Sequence, residues 1–139
     1  MRDALRNRIP TRVRFDLLGK ARALAFRGDR VSCPCCGGCF RDFRAHRQRA
    51  GVKCPRCGSL ERHRLLWLYF EQRTNLLTDS LDILHIAPEY SFSKHLATLH
   101  SLRYVAADLD SPLASVRVDV MNMQFADATF DVVLCSHVL

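Results

Sequence analysis

Two copies of one short turn constrain this chain more than any other feature. Cys33-Pro34-Cys35-Cys36-Gly37 and Cys54-Pro55-Arg56-Cys57-Gly58 both read C-P-x-C-G, and the spacing C-x2-C-x17-C-x2-C lies in the range of four-thiolate zinc sites. Two thiolates two residues apart grip one ion from a tight turn, and Gly after the second relieves the backbone there. A second such turn completes a tetrahedron, so the chain between them must return on itself as a small ribbon. Cys33, Cys36, Cys54 and Cys57 are therefore the expected ligands of zinc. A ribbon of this size buries little core, so the metal is expected to supply much of its folding free energy. Four thiolates leave no open coordination position, which makes the role structural and not catalytic.

Cys36 and Cys39 also form a C-x2-C pair, but only Cys33 with Cys36 reproduces the Pro and Gly of the second turn. Cys35 and Cys39 are then spare thiols, and nothing in the spacing of His46 recommends it as a replacement ligand. A disulfide cluster is the competing arrangement. It requires an oxidising compartment, and no secretory signal precedes the cluster.

The formal charge of +7 conceals two regions of opposite sign. Residues 1–80 hold 18 Lys and Arg against 7 acids, and residues 81–139 hold 3 against 7. The first region is basic enough to meet nucleic acid, an anionic surface or an acidic partner, although a solvated basic helix has the same composition. Between the cysteine turns, Arg41, Arg44, Arg47, Arg49 and Lys53 are interleaved with Phe40 and Phe43. Arginine with aromatics suits single-stranded nucleic acid, but both Phe side chains are expected in the ribbon's core. No stretch approaches the roughly 20 apolar residues of a membrane span, and a cytoplasmic address is expected.

The pattern divides the chain into a basic helical segment (1–30), a zinc ribbon (31–58), a connecting helix (59–80) and a sheet-forming region (81–139). Residues 2–27 read as mostly helical, broken or started by Pro10 and ended by Gly28-Asp29, with Leu17, Leu18, Leu24 and Phe26 on the apolar side. Ser59 is an expected N-cap, with Glu61 in the first turn, of a helix reaching about Leu77. Its unbroken apolar block Leu65–Phe70 predicts burial on several faces, with Trp67 in a core.

From Leu81 onward, short apolar strands repeatedly end on polar residues. ILHIA precedes Pro88-Glu89, YVAA precedes Asp108-Leu109-Asp110, VRV precedes Asp119, and FDVVLC precedes Ser136-His137. Strands at 82–87, 103–107, before Asp119 and at 130–135, with a helix over 91–99, read as βαβ units of a parallel α/β sheet. Ligands of such sheets sit at the carboxyl ends of the strands, so the recurring polar ends suggest a site. Asp, Ser and Pro also terminate strands for local reasons alone.

This second region resembles the class I S-adenosylmethionine-dependent methyltransferases of the methyltransferase type 11 kind, most closely in MQFADATFDVVLCSHVL (123–139). The segment common to them, approximately L-P-F-P-D-x-S-F-D-V-V, keeps Phe125, Asp127, Phe130 and Asp131 here. The resemblance implies a partial Rossmann-like parallel sheet and S-adenosylmethionine as cofactor. Asp108 matches the acid that holds the ribose hydroxyls, Asp119 and Val120 the pair beside the adenine, and Ser136 and His137 the strand end lining cofactor and substrate. The glycine-rich loop is replaced by His85-Ile86-Ala87-Pro88-Glu89. There His85 stands at the usual acid position, Ala87 at a glycine position, and Glu89 where a carboxylate can pair with the cofactor's ammonium group.

The paired C-P-x-C-G turns, CGSLERHRLLW and LHIAPE together look like a zinc-ribbon subgroup of these enzymes. The resemblance implies methyl transfer to an unidentified acceptor, with His137 as candidate general base because its ordinary pKa of about 6.5 suits proton removal near neutrality. Folds of this family continue for several strands beyond the fourth, where the present sequence stops, so an N-terminal fragment of such an enzyme is one expectation. A non-catalytic zinc-ribbon interaction module and a nucleic-acid-binding protein are the alternatives. The oligomeric state is not determined by these features.

Overall fold

The computed structural model describes residues 10–136, so the predicted helix before Pro10 and the assigned role of His137 lie outside the described residues. The chain forms two compact units, Met1–Leu66 and Trp67–Leu139. The change of charge near Ser80 therefore falls within the second unit.

In the first unit, α1 (Thr11–Ala25) starts after Pro10, whose fixed φ suits a helix entrance. Phe26 ends it, its N–H donating to the Arg22 carbonyl, and Gly28 and Asp29 already lie in the next strand, not at a helix stop. Gly28 serves a different purpose there: a Cβ at this position would run into the backbone of Arg41. The expected apolar side of α1 is not buried, since Leu17, Leu18 and Leu24 are exposed and Gly19 is the buried residue of the helix. A Cβ on Gly19 would collide with the Arg56 carbonyl oxygen, so this glycine lets the helix backbone approach the second cysteine turn.

Two antiparallel hairpins follow. The strands β1 (Arg27–Cys33) and β2 (Gly38–Phe40) flank the first cysteine turn, with Cys33 opposite Gly38. The strands β3 (Arg44–His46) and β4 (Arg49–Lys53) form the second hairpin and lead into the second turn. Phe40 is buried and Phe43 half-buried, their rings 6.5 Å apart, as expected of ribbon core residues.

The helix α2 (Glu61–Arg73) starts two residues after Ser59 and stops before Leu77. Its first turn is closed by His63, whose Nδ1 accepts the Leu60 N–H at 3.2 Å, and Ser59 is directed elsewhere. Thr74 marks its end by donating to the Phe70 carbonyl. Burial follows one stripe, His63, Trp67 and Phe70, while Leu65, Leu68 and Tyr69 are exposed. The apolar block is thus buried on one face instead of several. Trp67 is a core residue, its ring stacked on Phe92 at 6.3 Å.

The second unit contains a four-stranded parallel sheet. Its strands are β5 (Leu81–Ile86), β6 (Leu102–Asp108), β7 (Val116–Arg117) and β8 (Val132–Cys135), and α3 (Tyr90–Leu96) connects the first two. The order across the sheet is β7-β6-β5-β8, with every pairing parallel. Alternation along β5 explains its continuous apolar run, because both faces are covered. Leu84 and Ile86 pack with Ala107, Val105, Phe125 and Phe130. His85, one residue out of phase, meets Phe92 and Tyr104.

Residues 125–131 accordingly have a packing role. Phe125 and Phe130 meet edge to face at 5.0 Å in the core. Asp131 accepts the Asp82 N–H at 2.8 Å and returns its own N–H to the Asp82 carbonyl, tying the entrance of β8 to β5.

Candidate functional site

The cysteine turns are built alike. The Gly37 N–H donates to the Cys33 carbonyl at 2.8 Å and the Gly58 N–H to the Cys54 carbonyl at 3.1 Å. Both glycines have positive φ, 64° and 75°, a conformation that a Cβ disfavours. The repeated Gly of the motif is therefore required by the backbone.

These turns bring together the four predicted ligands. The sulfurs of Cys33, Cys36, Cys54 and Cys57 all lie within 4.8 Å of one another. Cys33 to Cys57 and Cys36 to Cys54 are each 3.7 Å apart. A regular tetrahedron with Zn–S bonds of about 2.3 Å has sulfur separations of about 3.8 Å. The set can thus hold a metal ion such as zinc, and it is formed by the pair that the C-P-x-C-G repeat selects. Cys35 is buried beside the site but its thiol faces the His63 carbonyl at 3.6 Å, and Cys39 is exposed. Neither belongs to the tetrahedral group.

Electrostatics reinforces the geometry. Hydrogen bonds from Cys35, then Cys36, Cys54 and Cys57, hold Cys33 far below the ordinary thiol range. Cys57 is pushed far up by Cys33, then by Cys36 and Cys54. Cys54 is also lowered, to about 7, whereas Cys36 is pushed far up like Cys57, so ionising all four thiols requires a cation among them.

Ser59 is the functional group that sequence reasoning misassigned. It is fully buried, with its Oγ 3.2 Å from the Cys33 sulfur and 3.3 Å from the Cys57 sulfur. Its carbonyl accepts the Cys54 N–H and a guanidinium N–H from Arg64, so Ser59 clasps the second turn from both ends. The Cys57 thiol donates to this oxygen, so the hydroxyl links two of the four sulfurs and fixes their position. Its place two residues after the last cysteine was the available signal. Arg64 also lies over the Phe43 ring at 4.1 Å, joining helix to hairpin.

The strand-end residues of the second unit occupy the carboxyl end of the parallel sheet. His85 is buried, and its two ring nitrogens meet Tyr104 Oη at 2.8 Å and Glu89 Oε2 at 2.9 Å. It is a satisfied core histidine that holds the Glu89 carboxylate in place. Ala87, directly after β5, has φ of 51°, the left-handed region that a glycine adopts freely.

Asp108 Oδ1 accepts the N–H groups of Asp110 and Ser111, each at 2.8 Å, leaving Oδ2 without a partner among the described residues. Asp119 Oδ1 accepts the Met121 N–H at 2.9 Å, and Val120 is exposed. A cleft of about 470 Å³ opens here, lined by Leu109, Val118, Asp119, Asn122 and Phe125 among others. A shallower hollow of about 320 Å³ adjoins Asp108 and Ser111. Ser136 is half-buried after β8.

No family model matches the chain, and neither do any curated proteins or solved structures. Among the described residues, no helix is long and apolar enough to cross a membrane.

Proposed function

We propose that the sheet-forming unit is the cofactor-binding part of an S-adenosylmethionine-dependent methyltransferase with a Rossmann-like sheet, carried on one chain with a structural zinc ribbon. The observation that carries this reading is the strand order. Numbered as four successive parallel strands, β5 to β8 run 3-2-1-4 across the sheet. This is the order in which the connections after the first and fourth strands diverge and open a crevice for a nucleotide-like ligand.

The residues at that edge have the required chemistry. Asp108 offers Oδ2, with two lone pairs, to a vicinal diol after Oδ1 has been used by its own turn. Asp119, which Val120 follows in the chain, lines a cleft with the mixed apolar and polar lining that suits an aromatic base. Glu89, aligned by His85, presents a carboxylate near the loop where an ammonium group would lie. Ala87 adopts the glycine-like conformation in place of a glycine, which supports a close backbone approach at the end of β5.

When bound, the cofactor supplies an activated methyl group on a sulfonium. The chain's own residues bind and orient it, and positioning an acceptor in line accounts for most of the catalysis in this reading. His137, the next residue after Ser136, is the candidate general base, and the acceptor is unidentified.

Calorimetric titration of S-adenosylmethionine into the zinc-loaded protein tests the proposal. Saturable binding that is lost in Asp108→Ala, with zinc content unchanged, is the expected result. Absence of binding by folded protein, or binding indifferent to Asp108→Ala, would remove the cofactor reading and leave a zinc-ribbon interaction module.

A further inference from the structure

The β3–β4 hairpin and its flanks concentrate positive charge, of which the fold uses only part. Residues 41–64 contain eight Lys and Arg against two acids. A filled four-thiolate zinc site adds about two negative charges and leaves the segment cationic. Arg44 stands directly opposite Lys53 across the strands. Like charges in that register oppose pairing.

Arg49 is neutralised by Glu61 at 2.8 Å, an ion pair that also brings the hairpin against the start of α2. Arg44, Arg47, Lys53 and Arg62 reach no carboxylate among the described residues. The cations add to desolvation in depressing the imidazole among them. Slight desolvation, then Lys53, Arg47, Arg49 and Arg62, hold His46 below its ordinary value.

The hairpin itself carries no exposed large apolar side chain, and Leu65, one turn beyond Arg62 on α2, is the exposed apolar residue beside it. Phe43 is covered by Arg64, and the exposed residues between the cations are Asp42, Ala45, Gln48 and Ala50. A protein interface draws its energy from buried aromatic and aliphatic anchors, and a membrane-surface element from an apolar face. A repeating array of planar guanidinium forks without an apolar anchor matches a regular series of phosphates.

We propose that the β3–β4 hairpin, with Arg62 beside it, binds the phosphodiester backbone of nucleic acid without reading its sequence. The inference uses residues 41–64 alone, so it stands or falls independently of the cofactor reading.

Fluorescence anisotropy on the zinc-loaded full chain tests it, with a labelled 20-nucleotide single-stranded RNA and a 20-base-pair DNA duplex, both of mixed sequence, as probes. Four phosphate contacts predict log K against log salt slopes of about −3 on the single strand and about −3.6 on the duplex. The triple variant Arg44→Gln/Arg47→Gln/Arg62→Gln should bind at least about tenfold more weakly at low salt, with the single-strand slope falling to about −0.7. Zinc content and circular dichroism verify its fold. If the triple variant loses zinc, the exposed pair Arg47→Gln/Arg62→Gln should still reduce that slope by about 1.4.

The tighter of the two probes identifies the nucleic acid preferred. The proposal is overturned by failure to bind either probe at low salt, or by slopes unchanged in the folded variants. It is equally overturned by equal affinity for polyglutamate, or by hairpin-dependent binding to phosphatidylserine vesicles in place of nucleic acid.

Discussion

The ribbon and the sheet solve the same problem with different materials. At the centre of the sheet, Ile83, Leu84, Phe92, Leu96, Ala106 and Ala107 are buried, and apolar burial sets the register of the parallel strands. At the centre of the ribbon, the least accessible groups are Cys33, Cys54 and Ser59, with Phe40, Val52 and Leu60 as the small apolar complement. Without a cation these thiols oppose one another's ionisation, whereas the sheet's core needs nothing from solution. The contrast predicts that the ribbon, unlike the sheet, needs a cation between its thiols to keep its structure. The strand-end carboxylates depend on the hydrophobic frame instead.

Substitutions on either side should break one region and spare the other. Cys54→Ser removes a ligand from a site type that binds zinc with about 10–16 kcal/mol. Loss of bound zinc and of structure in residues 27–60 is expected, read by metal analysis and by amide exchange. Leu84→Ala should cost about 2–5 kcal/mol in chemical denaturation while zinc stays at one ion per chain. A loss of zinc in Leu84→Ala would end the distinction.

Ser59→Ala sharpens the account of the metal centre. It removes a hydroxyl shared by two ligand sulfurs but no ligand. Zinc affinity, measured by competition with a chelator, should fall about 10- to 100-fold with stoichiometry unchanged.

The smallest effect belongs to the sheet's rim. Arg103 grips both oxygens of Asp82, at 2.7 and 2.8 Å, and holds its carboxyl below the ordinary value. A depressed carboxyl contributes stability above its unfolded pKa, near 3.9, and loses it as pH falls through the folded value. Both side chains are solvent-accessible, so the contribution is slight. The urea midpoint should decline a little more steeply between pH 5 and 3 in the native protein than in Arg103→Gln.

Much of this architecture was legible in the residues because the signals were local or repeated. The duplicated C-P-x-C-G turn picked out the four sulfurs that the fold gathers into a group able to hold a metal ion, and two glycines with positive φ. The apolar runs ending on Glu89, Asp108, Asp119 and Ser136 gave the strands within a residue or two.

Non-local contacts were harder to see. Ser59 looks like a helix cap until Cys33, far away in sequence, is brought to its hydroxyl, after which His63 closes the helix. The block Leu65–Phe70 reads as buried all round, yet a helix in this position buries one stripe. Gly19 looks like a weak point in α1 until the Arg56 carbonyl arrives against it. The pairing of His85 with Tyr104 and Glu89 required the register of β5 on β6, which no local pattern supplies.

Hydrogen–deuterium exchange on the full chain, before and after zinc removal by a strong chelator under reducing conditions, tests the central contrast most directly. The account predicts that residues 27–60 lose their protection while Leu81–Ala107 keep it, and that restoring zinc restores the ribbon. Unchanged protection of the ribbon, or its loss together with that of the sheet, would contradict the account.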